Sequence, residues 1–220
     1  MSLYLVPAGD ADADRFAAIE HAALPDDATS AVLFPGPFAA EGGVSRGDQL
    51  REHLRSDPDC HWVKVVDRDL EAQQGGGGGD DATIAFAVWY FWGVRGKPLP
   101  ASVWGPGTNA EACEQYFGGL DRRWEDDVGS KPHAYLKFVH TDPAHQRRGA
   151  GALMMAWGVK EADKRGLTSY VQASPQGQGL YAKFGFELVD IYAIDLSKWG
   201  GPEREETAIM IRPARAAAGS

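Results

Sequence analysis

The chain has 220 residues, 44% of them hydrophobic and 10% aromatic, and a formal net charge of −9. That is enough apolar material for a substantial core, and the acidic balance argues against a nucleic-acid surface. It also tilts toward a cationic substrate, although many chains are acidic only to stay soluble. The longest apolar run, Ile84 to Trp92, is too short for a membrane helix, which takes about 20 residues. The start, MSLYLVPAGDADAD, lacks the basic end and apolar centre of a secretory signal. Cys60 and Cys113 form no Cys-x-x-Cys pair, and the six histidines show no metal-ligand spacing. The expectation is a reduced cytoplasmic protein with no metal, no membrane and no nucleic acid, one domain over 1–220.

In chain order, Tyr4 to Val6 reads as a short strand, and DADADRFAAIEHAAL as a helix with Phe16, Ile19 and Leu24 on its apolar face. LFPGPFAAEGG is a loop, and RGDQLREHLRSD a second helix ending near Pro58. HWVKVVD alternates as a strand; QQGGGGGDD is a loose hairpin tip leading to TIAFAVWYFWGV, apolar on both faces and so central in a sheet. Thr108 to Glu111 (TNAE) has capping-box spacing, and the helix it opens puts Cys113, Tyr116, Phe117, Leu120 and Trp124 on one core stripe. AYLKFVH and TSYVQAS are strands on either side of the helix Ala150 to Arg165. A short helix follows, with Ser174 as N-cap, Pro175 first and Gly185 as stop, before two final strands and a frayed tail at about 214–220. Helices between some strands and hairpins between others imply a mixed α/β fold, not a doubly wound sheet.

The informative stretch is HTDPAHQRRGAG, His140 to Gly151. A helix start leaves backbone N–H groups unpaired and carries a positive dipole end. Glycines there admit a ligand close to the backbone, and arginines pair with phosphate, so the stretch reads as a phosphate cradle. Two lookalikes fail. Gly43 to Gly47 (GVSRG) fits the nucleophile elbow around Ser45 but lacks a preceding buried strand, and GAGALM has Met154 where a dinucleotide fingerprint needs its third glycine.

The cradle resembles the acetyl-CoA signature Q/R-x-x-G-x-G/A of the GNAT superfamily of acyl-CoA N-acyltransferases, matched at Gln146, Gly149 and Gly151. Downstream, LYAKFGFE is similar to that family's Tyr-x-x-x-Gly-Phe segment, and the likeness is strong from Leu136 to Leu188, with an acetyl-CoA core over about 134–190. DPDCHWVKVVD and DLSKWGG resemble an uncharacterised fungal branch. The resemblance implies a mostly antiparallel central sheet flanked by helices. It implies acetyl transfer from acetyl-CoA directly to a primary amine, small or peptide-borne, by a chain working as monomer or homodimer. The pyrophosphate falls to Gln146, Arg147, Arg148, Gly149, Ala150 and Gly151, with Ser174 nearby, and the pantetheine arm to Val139, His140 and Thr141. Tyr181 falls at the general-acid position, against the reading of an aromatic anchor. The base is His140, His133 or a water chain to an acidic residue. The acceptor groove maps to 10–56 and 93–128, where Trp92, Trp104, Tyr116 and Trp124 either line a pocket or pack. The competing functions are a CoA-binding module without catalysis and a hydrolase built on Ser45.

Overall fold

The computed structural model describes residues 2–37, 45–73, 82–99 and 102–215; the glycine run 75–79 and the last five residues lie outside them. In order come β1 (Leu3–Pro7), α1 (Ala13–Ala22), α2 (Ala28–Leu33), α3 (Arg46–Ser56), β2 (Cys60–Asp67), α4 (Arg68–Gln73) and β3 (Thr83–Trp92). A helical run follows, α5 (Ala110–Cys113) and α6 (Gly119–Trp124) with π-helical turns after each, then β4 (His133–Thr141) and α7 (Ala150–Lys164). The chain closes with β5 (Thr168–Ala173), α8 (Pro175–Lys183), β6 (Glu187–Ile194) and β7 (Glu205–Arg212). The sheet runs β1-β2-β3-β4-β5-β7-β6, antiparallel throughout except for the β4–β5 pair.

Every residue of β3 is buried because both of its faces are covered. On one side Met154, Met155 and Ala162 of α7 pack against Val63, Val65, Trp89 and Leu136. At Gly158 helix and sheet touch closely: a Cβ there would lie 2.2 Å from Trp89 Cε2. On the other side Phe16 and Ile19 of α1 and Leu50 of α3 cover Trp62, Phe86, Val88 and Tyr90, with Phe16 stacked on Phe86 at 4.1 Å. Each such fully buried side chain contributes about 1.5–3 kcal/mol. Arg212 of β7 joins α7 to the end of α8: its guanidinium pairs with both oxygens of Asp163 at 2.7 Å and donates to the Phe184 carbonyl.

Several local expectations shift. Leu24 lies just past the end of α1, whose C-cap is Ala23. Asn109, not Thr108, caps α5, accepting from the Ala112 N–H, while the Thr108 hydroxyl donates to the Gly105 carbonyl. The stripe Cys113–Trp124 packs as expected, but on a helix with a π turn at Glu114–Gly118. Gly119, which follows it, gives the Tyr192 hydroxyl its place: a Cβ there would sit 2.0 Å from that oxygen. α2 and α4 are too short to show an apolar period.

Candidate active site

β4 and β5 pair only from His133–Thr168 to Leu136–Val171, after which β4 runs on to Thr141 with β3 on one edge. Among the described residues nothing pairs with its other edge over 137–141, because β5 continues beside β7 instead. The divergence coincides with a bulge: Val88 faces Phe138 and Trp89 faces Leu136, leaving Lys137 as the extra residue. Bulges bend and twist the strand that carries them. The result is a seam in which free backbone N–H and C=O groups can receive an extended ligand as an added strand.

The cradle lies at the end of that seam. Asp142 caps the turn that follows β4: its Oδ1 accepts the Ala144 N–H at 3.0 Å and its Oδ2 accepts Arg15 of α1 at 3.0 Å. Arg147 (φ 61°) and Gly149 (φ 96°), the N-cap of α7, both take the left-handed conformation. Left-handed residues of this kind turn successive N–H groups inward to form an anion-binding concavity. For a non-glycine residue the conformation costs about 1–2 kcal/mol, so the loop must be held from outside. Arg148 holds it: its Nη2 lies 2.6 Å from Asp67 Oδ2 at the end of β2. Burial alone would raise the Asp67 carboxyl; the Arg148 guanidinium and the Asp69 N–H hold it below the usual carboxylate range.

The two cradle arginines therefore differ. Arg147 is exposed with no side-chain partner among the described residues, whereas Arg148, expected at a phosphate, is tied to a carboxylate. Gln146 is exposed, its amide donating to the Thr141 carbonyl at 3.3 Å. Ala150 is buried as the first residue of α7. Gly151 is small for a reason other than ligand approach: a Cβ there would lie 2.9 Å from Leu180 Cδ2, so it seats α8 against α7.

Ser174 stands at the N-cap of α8, but its side chain makes no capping bond and is exposed. Tyr181 is 5% exposed and packs beside Phe186 at 6.0 Å. Its ring points back along α8 onto Gly177, where a Cβ would lie 3.2 Å from the phenol oxygen. Burial pushes the phenol above its ordinary value, so it holds its proton at neutral pH. Tyr181 is thus an anchor by packing and a protonated phenol by environment.

On the opposite face of β4, helices α1, α3 and α6 surround the bulge. Phe138 is the floor, with Arg46 5.2 Å and Lys137 5.8 Å from its ring centre. Arg46 pairs with both oxygens of Glu20 (2.7 and 2.8 Å), and Lys137 with Asp121 of α6 at 2.5 Å. His53 of α3 meets the Phe138 ring edge-on at 5.7 Å, and its Nδ1 lies 2.8 Å from the Tyr90 hydroxyl.

The histidines separate cleanly. His140 is half-buried beside Phe86; burial lowers its pKa, Glu20 opposes and Arg46 adds, so the ring is neutral. Val139 packs toward α7, and Thr141 is half-buried. His133, expected as a possible base, is 1% exposed: its Nε2 accepts from Trp124 Nε1 at 2.9 Å and its Nδ1 donates to the Lys131 carbonyl. With both nitrogens committed it cannot serve. Trp92 and Trp124 are buried beside it, while Trp104 and Tyr116 pack around α2 and α5, so these aromatics build core. The Ser45 hydroxyl caps α3 through Asp48, which removes the elbow reading. Among the described residues no cluster of potential metal ligands occurs, and no helix is long and apolar enough to cross a membrane.

A mixed sheet opened by a bulge, with a left-handed turn where the opening meets a helix start, is a fold shared with solved GNAT acetyltransferases. Residues 114–186 match the family model described as "Acetyltransferase (GNAT) family". A probable acyltransferase, SID5, from Ajellomyces capsulatus is 30% identical over 95 residues, 43% of this chain and 64% of the relative, so the match spans a little under two thirds of the relative's length. A solved structure described as histone acetyltransferase HPA2 and related acetyltransferase, from Corynebacterium glutamicum, superposes over 100% of both chains with TM-score 0.58 and 18% identity. A GNAT phosphinothricin acetyltransferase from Sinorhizobium meliloti, solved with acetyl-CoA, covers 100% of this chain and 93% of its own, with TM-score 0.57 and 17% identity. At such identities the structures speak for the fold alone.

Proposed function

We propose that the protein moves an acetyl group from acetyl-CoA directly to a primary amine. The observation that carries this reading is the open β4–β5 seam running into the strained cradle. Backbone N–H groups at Arg147 to Ala150 and the free guanidinium of Arg147 receive the pyrophosphate. The pantetheine arm pairs along Val139 to Thr141, where a backbone N–H polarises the thioester carbonyl. Losing one such donor typically costs about 3–4 kcal/mol of transition-state stabilisation. Neutral His140 accepts the proton of the attacking amine, and nitrogen bonds to the carbonyl carbon to give a tetrahedral oxyanion. As the carbonyl re-forms, the C–S bond breaks and the Tyr181 hydroxyl gives its proton to the departing thiolate. A direct mechanism is supported by the cysteines: burial pushes the Cys60 thiol up to about 12 and the Cys113 thiol to about 11, far from a reactive thiolate.

The test is thiol release from acetyl-CoA with a panel of amines, for wild type and Tyr181→Phe. The variant keeps the ring packing and should lose about 10²–10⁴-fold in turnover, toward the lower end because a thiol is a tolerable leaving group. Coenzyme A affinity should barely change. Equal turnover at every pH would reduce Tyr181 to an anchor. No amine-dependent thiol release from a protein that binds coenzyme A would leave a binding module in place of an enzyme.

A further inference from the structure

The floor of the acceptor face carries an uneven distribution of charge. Two cations, Arg46 and Lys137, stand over one half-buried ring, Phe138, at the bulge where β4 leaves β5. Neither is saturated by its acidic partner. Arg46 directs three of its five N–H donors to Glu20 and Gln49, and Lys137 directs one of three to Asp121. Buried His53 completes the cluster, with Nε2 left over after Nδ1 meets Tyr90. Further out along the strand, the His140 ring feels the Glu20 carboxylate, the same group that pairs with Arg46.

From this juxtaposition, and resting on the transfer reading above, we infer that the acceptor carries a carboxylate, held by Lys137 and Arg46 over Phe138, on a short apolar arm leading to its amine. The chain's overall acidity does not oppose this, because the charges that matter lie within a few ångströms of the ring and net charge does not reveal their placement. The field at the bulge agrees: burial first, then Lys137 and Arg46, press the His53 imidazole down to about 3, with no acid raising it. An anion beside that ring meets two cations, each already sharing its charge with one carboxylate but with N–H donors to spare, and a neutral imidazole. The ammonium end of the same molecule reaches toward Glu20 and His140.

The experiment compares acceptors that differ only at the far end, n-butylamine with 4-aminobutanoate and benzylamine with 4-(aminomethyl)benzoate. Wild type, Lys137→Met, Lys137→Arg and Arg46→Met are assayed at saturating acetyl-CoA. The acid member of each pair should show at least tenfold higher kcat/KM in wild type and Lys137→Arg. That ratio should fall toward one in Lys137→Met and Arg46→Met. The same ratio is read from calorimetric binding to the coenzyme-A-saturated protein, so it is decided even where turnover is absent. A wild-type ratio at or below one, or a ratio untouched by both Met variants, overturns the inference. Absence of turnover with a preserved binding ratio overturns only the transfer reading.

Discussion

The two arginines of the cradle make a sharp test, because the structure gives neighbouring and chemically identical side chains different work. Arg148→Met removes the charged partner of an Asp67 carboxylate whose side chain is 3% exposed, leaving it the Asp69 N–H at 3.0 Å and the Ser2 side chain. Breaking a fully buried pair costs about 3–5 kcal/mol, but the Arg148 side chain is 37% exposed and partly screened, so the loss should be about 1–3 kcal/mol. The Asp67 carboxyl is held below its unfolded value, so this contribution is present above pH about 4 and fades as pH falls through the folded value. Wild type and Arg148→Met should therefore converge in stability in acid. Arg147→Met removes an exposed, unpaired cation and should change stability by no more than about 0.5 kcal/mol. Its cost should appear in coenzyme A affinity, about three- to tenfold at low salt and less at high salt, since the lost interaction is a screened ion pair. Urea unfolding across pH and calorimetry at two ionic strengths read both effects. The assignment fails if Arg147→Met is the destabilising variant, or if Arg148→Met alone removes the salt-dependent part of binding.

Two further outcomes concern the scaffold. Gly158→Ala sets a methyl against the Trp89 indole, and overpacking of this kind should cost about 1–3 kcal/mol in urea unfolding, leaving coenzyme A affinity per folded molecule unchanged. Asp163→Asn leaves buried Arg212 without a counter-charge and should cost about 2–4 kcal/mol at pH 7. The Arg212 hydrogen bonds depress the Asp163 carboxyl, so that contribution exists above pH about 4 and is lost below it; a deficit that persists undiminished in acid would refute the cause.

What the sequence disclosed and what it hid divide along one physical line. The turn into α7 was legible because its determinants are local: a glycine with positive φ and a helix start act within a dozen residues. β3 was legible because burial on both faces leaves a continuous apolar run. The partners that hold the cradle, Arg15 and Asp67, lie in α1 and β2, and no local pattern couples them to Asp142 and Arg148. The cluster around Phe138 was hidden for the same reason, since Glu20, Arg46, His53 and Asp121 come from three separate helices. Gly158 and Gly177 are each the contact surface for an aromatic ring, Trp89 distant in sequence and Tyr181 one turn away.

The bulge at Lys137 shows how one residue links these two kinds of information. Strict alternation along His133–Thr141 would place residues 133 and 140 on opposite faces, since side chains change face at every step. Instead both histidines lie among the aromatics of one face, His133 against Trp92 and His140 against Phe86, because the extra residue resets the alternation. The same reset sets Lys137 and Phe138 side by side on that face, as the contact of the ammonium with the rings of both Tyr135 and Phe138 records. It also falls where the β4–β5 pairing ends. One inserted residue therefore coincides with the opening of the seam and puts a cation and an aromatic floor on the face covered by α1, α3 and α6. A strand of unbroken alternation could not present all three in so short a length, since Phe138 would then face α7 and the apolar core with Leu136.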